Sequence, residues 1–337
     1  MQLRNIFLLG FAATALAQSI VDVLKGQSQL STLVTLLNTQ PDLVSTLGSA
    51  TNITLLAPHN DAFTQFLNSP AGMQAATTPG AVAALLTYHV IKGTFPASAF
   101  TSTPVFVSTL LTNTSFTNVT GGQVVEGVAP QGGGVNIFSG LKSKSSVTTP
   151  NIAFTGGIIH VIDNVLTIPP TVSVTAAANN LTQLASAVTS TGLLSAVDTT
   201  PNITVFAPTN DAFSAISNVV KGLSNAQLSS ILQYHVVPAL GYSSLLSNTS
   251  LPTLEGQKVN IALSGGNVNV NTALVTVADV IVANGVVHVI NSVLSLPNGS
   301  SSSPSSGSSA GSAIALSPRI VKGAAFGALL STISLML

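Results

Sequence analysis

The chain has 337 residues, of which 46% are hydrophobic, nine are basic, nine are acidic and none is cysteine. Charged residues make up only 5%, against roughly a quarter in ordinary soluble domains, so no basic face is available for a nucleic acid. The lack of cysteine excludes disulfide frameworks, thiol catalysis and Cys-ligated metal, so any folded part has to be held together by apolar burial.

In chain order, Arg4 precedes an apolar run from Ile6 to Leu16, and Ala15-Leu16-Ala17 supplies the small residues of a cleavage site. Residues 1–17 are expected to be a secretory signal peptide cut after Ala17, because the run is shorter than the ~20 residues of a membrane span. Residues 19–48 place Val23, Leu30, Leu33, Leu36, Leu37, Leu43, Val44 and Leu47 at helical spacing, with breaks at Gly26 and Pro41, and predict short helices. Ile53-Thr-Leu-Leu-Ala57, stopped by Pro58, reads as a strand. Asn60 and Asp61 stand where a helix cap and first turn belong, ahead of Phe63, Phe66 and Leu67, and Pro79 to Tyr88 reads as another helix. From Val105 to Leu166, short apolar and Thr-rich runs alternate with Gly121-Gly122, Gly132-Gly133-Gly134 and Gly156-Gly157, which predicts antiparallel hairpins. Helices first and strands later is an α+β order.

The pattern then repeats. Asn52-Ile-Thr-Leu-Leu-Ala-Pro-His-Asn-Asp-Ala-Phe63 returns as Asn202-Ile-Thr-Val-Phe-Ala-Pro-Thr-Asn-Asp-Ala-Phe213, Tyr88-His89-Val90 as Tyr234-His235-Val236, and Gly157-Ile-Ile-His160-Val-Ile as Gly285-Val-Val-His288-Val-Ile. Three boxes in one order at this long period mean tandem globular domains, 18–169 and 170–297, rather than a solenoid. The offset between copies shrinks toward the last box, so copy one carries the longer loops before its final strand. Only Pro169-Pro170-Thr171 separates the copies, a linker short and stiff enough to restrict their orientations. Residues 298–312 form a Ser/Gly-rich stalk. Residues 313–337 end in an uncharged stretch from Gly323 and match a glycosylphosphatidylinositol (GPI) signal that is removed, with attachment at Ser308, Ser309, Ala310, Gly311 or Ser312. Losing Arg4, Arg319 and Lys322 with the processed ends leaves the mature protein with a small acidic excess.

These ordered boxes, covering nearly all of residues 19–297 twice, resemble the signatures of the fasciclin domain, found in secreted and anchored adhesion proteins. The resemblance implies an α+β fold in which each domain is a β-sandwich or wedge packed with several α-helices. It also implies a two-domain surface glycoprotein of fungal type. In copy one His59 stands where copy two has Thr209, which weakens a capping hydroxyl unless Asn60 replaces it.

Four of five histidines are paired between the copies, His89 with His235 and His160 with His288. A hydrolase relay through Asp211 and His235 lacks a Gly-x-Ser-x-Gly elbow or a hydroxyl shared by both copies, and no ligand spacing for a metal occurs, so neither enzyme nor cofactor is expected. His89 and His235 are expected to be internal and hydrogen-bonded, with Asp61 and Asp211 as partners, and His160 and His288 to point to a polar strand face. The resemblance also carries Tyr88, His89, Tyr234 and His235 over as candidates for partner contact. N-glycosylation sequons stand at Asn52, Asn113, Asn118, Asn180, Asn202, Asn248 and Asn298, with Asn52 and Asn202 foremost because they precede a strand in both copies. The expected role is adhesion at the cell surface through contact with surface or wall proteins and polysaccharides, weak homophilic contact and a GPI lipid. A structural or polysaccharide-binding wall component is the alternative, and an extracellular enzyme the remote one.

Overall fold

A computed structural model describes residues 18–297, which form a single compact unit of two similar lobes. The signal peptide, Asn298 and the attachment residues Ser308 to Ser312 lie outside the described residues. Lobe one opens with α1 (Ile20–Lys25), α2 (Ser31–Asn38) and α3 (Pro41–Ser49), then β1 (Ile53–Pro58), α4 (Asn60–Leu67), α5 (Pro70–Thr77) and α6 (Ala81–Tyr88). The strands β2 (Val90–Lys92), β3 (Val105–Ser108), β4 (Val124–Val128), β5 (Asn136–Phe138), β6 (Lys144–Phe154) and β7 (Gly157–Ile162) follow. Lobe two repeats the order with α7 (Val172–Ala178), α8 (Thr182–Ser190), α9 (Leu194–Thr199), β8 (Ile203–Pro208), α10 (Asn210–Ala215), α11 (Ser217–Lys221) and α12 (Asn225–Tyr234). Its remaining strands are β9 (Val236–Val237), β10 (Thr249–Pro252), β11 (Lys258–Ser264), β12 (Asn267–Val270), β13 (Ala273–Val282) and β14 (Gly285–Ile290).

Each lobe has one seven-stranded sheet, in the order β2-β1-β7-β6-β5-β4-β3 and, in lobe two, β10-β11-β12-β13-β14-β8-β9. The β1–β7 and β8–β14 pairs are parallel and all other neighbours antiparallel, so the opening strand of each lobe lies beside its closing strand. Every residue of β1 and β8 is buried. Both faces of these strands are covered, which explains their continuous apolar runs. One side of the lobe-one sheet packs against helices, where Leu24, Leu30, Leu33, Leu37 and Leu47 meet Leu55 and Ala57. The other encloses Leu56, Tyr88, Ile91, Leu111, Val125 and Ile137. A bridge between Ile91 and Thr109 brings the ends of the sheet together, so it curls into a wedge around this second cluster. The glycines that open the closing boxes have a steric cause: a Cβ at Gly157 would sit 1.8 Å from the Ile53 carbonyl oxygen, and one at Gly285 would sit 1.9 Å from that of Ile203.

One local expectation is corrected. Asn60 does not cap α4: His59 does, its Nδ1 accepting the Ala62 N–H at 3.1 Å, as Thr209 Oγ1 accepts that of Ala212 at 3.2 Å. Asn60 instead accepts the Thr32 N–H and donates to the Ser28 carbonyl, and Asn210 does the same with Gln183 and Asn180, tying each capped helix to the helical layer before it. The short α5 and α11 have no counterpart in the sequence expectations.

Candidate functional site

The tyrosines and histidines shared by the two copies are buried in each lobe. Tyr88 ends α6 and donates its hydroxyl to the Val124 carbonyl at 2.9 Å; Tyr234 ends α12 and donates to that of Lys258 at 2.9 Å. His89 and His235 are the C-caps of these helices. In each, Nδ1 lies 2.7 Å from a carbonyl, Leu85 or Ile231, and Nε2 accepts an N–H at 2.9 Å, from Leu166 or Leu294. A carbonyl only accepts, so Nδ1 carries the proton in both rings and each ring joins a helix end to the strand exit.

His160 and His288 use the opposite tautomer. Nε2 donates to the Phe95 carbonyl at 2.8 Å or that of Gly241 at 2.7 Å, while Nδ1 accepts the N–H of Asn151 or Asp279 at 3.2 Å in each lobe. Asn151 and Asp279 have φ of 63° and 61°, left-handed positions at irregularities in the β6–β7 and β13–β14 pairing. The imidazoles thus satisfy backbone donors that a regular ladder would have paired.

Burial lowers the pKa of His89 and of His235 to about 4, against the favourable pull of their backbone carbonyls. It also lowers those of His160 and His288, opposed at His288 by Asp279. Burial raises Tyr88 well above its ordinary value.

Several expectations change accordingly. Asp61 and Asp211 are exposed and do not pair with His89 and His235, because the backbone already occupies both nitrogens of each ring. His160 and His288 are buried rather than on a polar face. Tyr88, His89, Tyr234 and His235 are all at most 2% exposed, which removes them from any surface offered to a partner. Among the described residues no group of three or more His, Asp or Glu is arranged to hold a metal ion.

The feature that sequence reasoning missed is the seam between the lobes. The long connection from β3 to β4, residues 109–123, reaches into lobe two. The Asn118 N–H donates to the Ala283 carbonyl at 2.8 Å, Gln123 Nε2 to that of Val282 at 3.1 Å, and the Thr120 N–H to Asn202 Oδ1 at 2.8 Å. Phe106 stacks on Tyr242 with ring centroids 4.2 Å apart, over a cluster of Val124, Ile281 and Val286. Beside it Glu126 is 2.8 Å from Lys142. Burial pushes the Glu126 carboxyl up and its ion pair with Lys142 draws it back.

The seam also divides the sequons. Asn202 Nδ2 donates to Thr120 Oγ1 at 2.7 Å and Asn118 Nδ2 to the Thr199 carbonyl at 3.2 Å, so both amides face the junction. Asn52, Asn113, Asn180 and Asn248 are exposed. The matched positions Asn52 and Asn202, with φ of 57° and 56°, thus share a backbone conformation but not an environment.

A profile of the Fasciclin domain matches residues 28–169 and 179–297, and the chain belongs to that family. It is 33% identical over 282 residues to a fasciclin-like arabinogalactan protein of Arthroderma benhamiae, covering 83% of this chain and 67% of that protein. It is 30% identical over 289 residues to the fasciclin-like arabinogalactan protein elcF of Phaeosphaeria nodorum, covering 85% and 91%. A solved FAS1 domain pair from the insect cell adhesion molecule fasciclin I aligns with 80% of this chain and 97% of its own at 18% identity, with a TM-score of 0.38.

Proposed function

We propose that this protein is a GPI-anchored, glycosylated adhesion or interaction module of the cell surface, with two fasciclin domains acting as one body. The supporting observation is where the shared polar residues go: the Tyr-His pairs and closing histidines are turned inward and bonded to backbone, so what the copies have in common is architecture. Contact with partners then falls to the outer surface, where many tethered copies add avidity to weak contacts, homophilic ones included. The leader and tail signals support secretion and anchoring, and no helix among the described residues is long and apolar enough to cross a membrane.

A second reading, binding of wall polysaccharide, is supported by a groove of about 640 Å³ between the lobes, lined by hydroxyl and amide side chains that include Ser102, Thr103, Ser243, Ser244, Asn267 and Thr276. Such groups suit sugar hydroxyls. Cells displaying the full chain are expected to bind each other or wall glycan beads, and phosphatidylinositol-specific phospholipase is expected to abolish that binding. Protein that resists the phospholipase and retains Met336 and Leu337 in peptide maps would disprove anchoring. Binding to glycan beads but not to cells would favour the second reading, and turnover of wall sugars or esters without either binding would overturn both.

A further inference from the structure

Lobe two contains an opening of about 320 Å³ between α7, α8 and α9, lined by Val172, Ala176, Leu184, Val188 and Val197, with Phe206 and His235 also on its wall. We propose that this cleft is a binding site for a small, uncharged, aliphatic molecule. The proposal is independent of the adhesion reading.

The first support is a comparison of the two copies. Ser19 caps α1 as Thr171 caps α7, which matches Ile20 with Val172 and Leu24 with Ala176. Matching Leu33 with Leu184 in the next helix pairs Val34 with Ala185 and Leu37 with Val188. In lobe one Leu24 and Leu37 are 1% and 5% exposed and fill the core. In lobe two each of these four positions is shorter by one to three carbons, and the space their side chains occupy in lobe one contributes to the opening. Such volume is ordinarily costly to leave in a core, and it lies at the lower end of the range for ligand pockets.

The second support is the chemistry of the walls, which selects the ligand. No charged side chain lines the cleft. Its polar groups are already bonded: Ser173 Oγ donates to Asp198 Oδ2 at 2.5 Å, Thr189 Oγ1 donates to the Ala185 carbonyl at 2.8 Å, and both nitrogens of His235 are held by backbone. The ligand therefore meets hydrocarbon and the carbon edge of an imidazole. A carboxylate head would find no cation in the lining to compensate its desolvation, and the one charge bonded to a lining residue, Asp198 behind Ser173, is of the same sign, which disfavours fatty acids relative to neutral molecules. The volume accommodates about ten heavy atoms at roughly 30 Å³ apiece. Val174 and Leu194, 54% and 40% exposed, are also in the lining and provide an apolar approach from solvent.

The test titrates purified full-length protein with 1-decanol and with decanoate, read by calorimetry and by the ligand-induced rise in Tm. Wild-type protein is expected to bind 1-decanol saturably at one site and decanoate at least tenfold more weakly. Ala176→Leu, which restores the residue of lobe one, is expected to weaken 1-decanol at least tenfold while raising the Tm of the free protein. Should Ala176→Leu fail to fold, Ala185→Val decides in its place. Absence of saturable binding in wild type, equal binding of decanoate, or undiminished binding in the folded variant would each overturn the proposal.

Discussion

The two lobes share a fold but differ in two places. Between β3 and β4 lobe one carries residues 109–123, whereas residues 253–257 suffice between β10 and β11, and the longer connection is the one that grips the neighbouring lobe. In the opening helical layer lobe one is filled by Leu24 and Leu37 where lobe two has Ala176 and Val188. Repetition therefore fixes the frame, and the departures from it mark where one copy acquired a neighbour and the other a cleft.

The shared part should dominate at low pH. His89 and His235 are neutral in the fold with pKa values of about 4, against an ordinary value near 6.5 in the unfolded chain. Between these limits the unfolded state binds more protons, so stability is full above pH 6.5 and is lost as pH falls toward 4, by about 3 kcal/mol per histidine. His160 and His288 shift in the same direction and add to the loss. Urea melts from pH 7 to 4 should show both lobes weakening; a flat profile would mean that these imidazoles are not buried and neutral.

The helical layers offer the next largest effect. Ile20→Ala should cost about 2–5 kcal/mol and its counterpart Val172→Ala about 1 kcal/mol, because the second site already borders open space. Equal losses in chemical denaturation would erase the proposed difference in packing. At the seam, Phe106→Ala removes a stacked ring and should cost about 1–3 kcal/mol and separate one calorimetric transition into two. A single unchanged transition would show that the other seam contacts suffice. Removing the caps should be milder and symmetric: His59→Ala and Thr209→Ala each cost about 1 kcal/mol, and His59→Thr is neutral. The smallest effect is expected for Tyr242→Phe, since this buried hydroxyl has no hydrogen-bond partner within the protein. Its Tm should stay the same or rise slightly, whereas a clear fall would reveal a bound water there.

Most of the frame was legible in the sequence because local patterns encode it. Apolar spacing and Pro41 marked α2 and α3, the run at Ile53 marked β1, and glycine pairs marked the turns of the late strands. The helix α5 was missed because Pro-Ala-Gly-Met-Gln-Ala-Ala-Thr has no apolar face to recognise. The site was read less well. Repetition of Asp61 with His89 and Asp211 with His235 suggested pairing, but nothing in a sequence reveals that backbone groups of Leu166 and Leu294 reach the imidazoles first. The seam was hidden for a similar reason: Asn118, Thr120 and Gln123 read as loop polarity, and only the folded chain places them against Ala283, Asn202 and Val282.

The central position of each closing strand also bears on how the chain reaches its fold. In lobe one β7 lies between β1 and β6, and β1 takes its parallel partner only when residues 157–162 have been synthesised. Until then an apolar strand has one edge open, and pairings this distant in sequence form slowly. Lobe one should thus remain a client of chaperones through most of its synthesis and close abruptly at the end. Once closed, its 109–123 connection stands ready as a template on which the nascent lobe two settles, giving assembly a direction from the N-terminus.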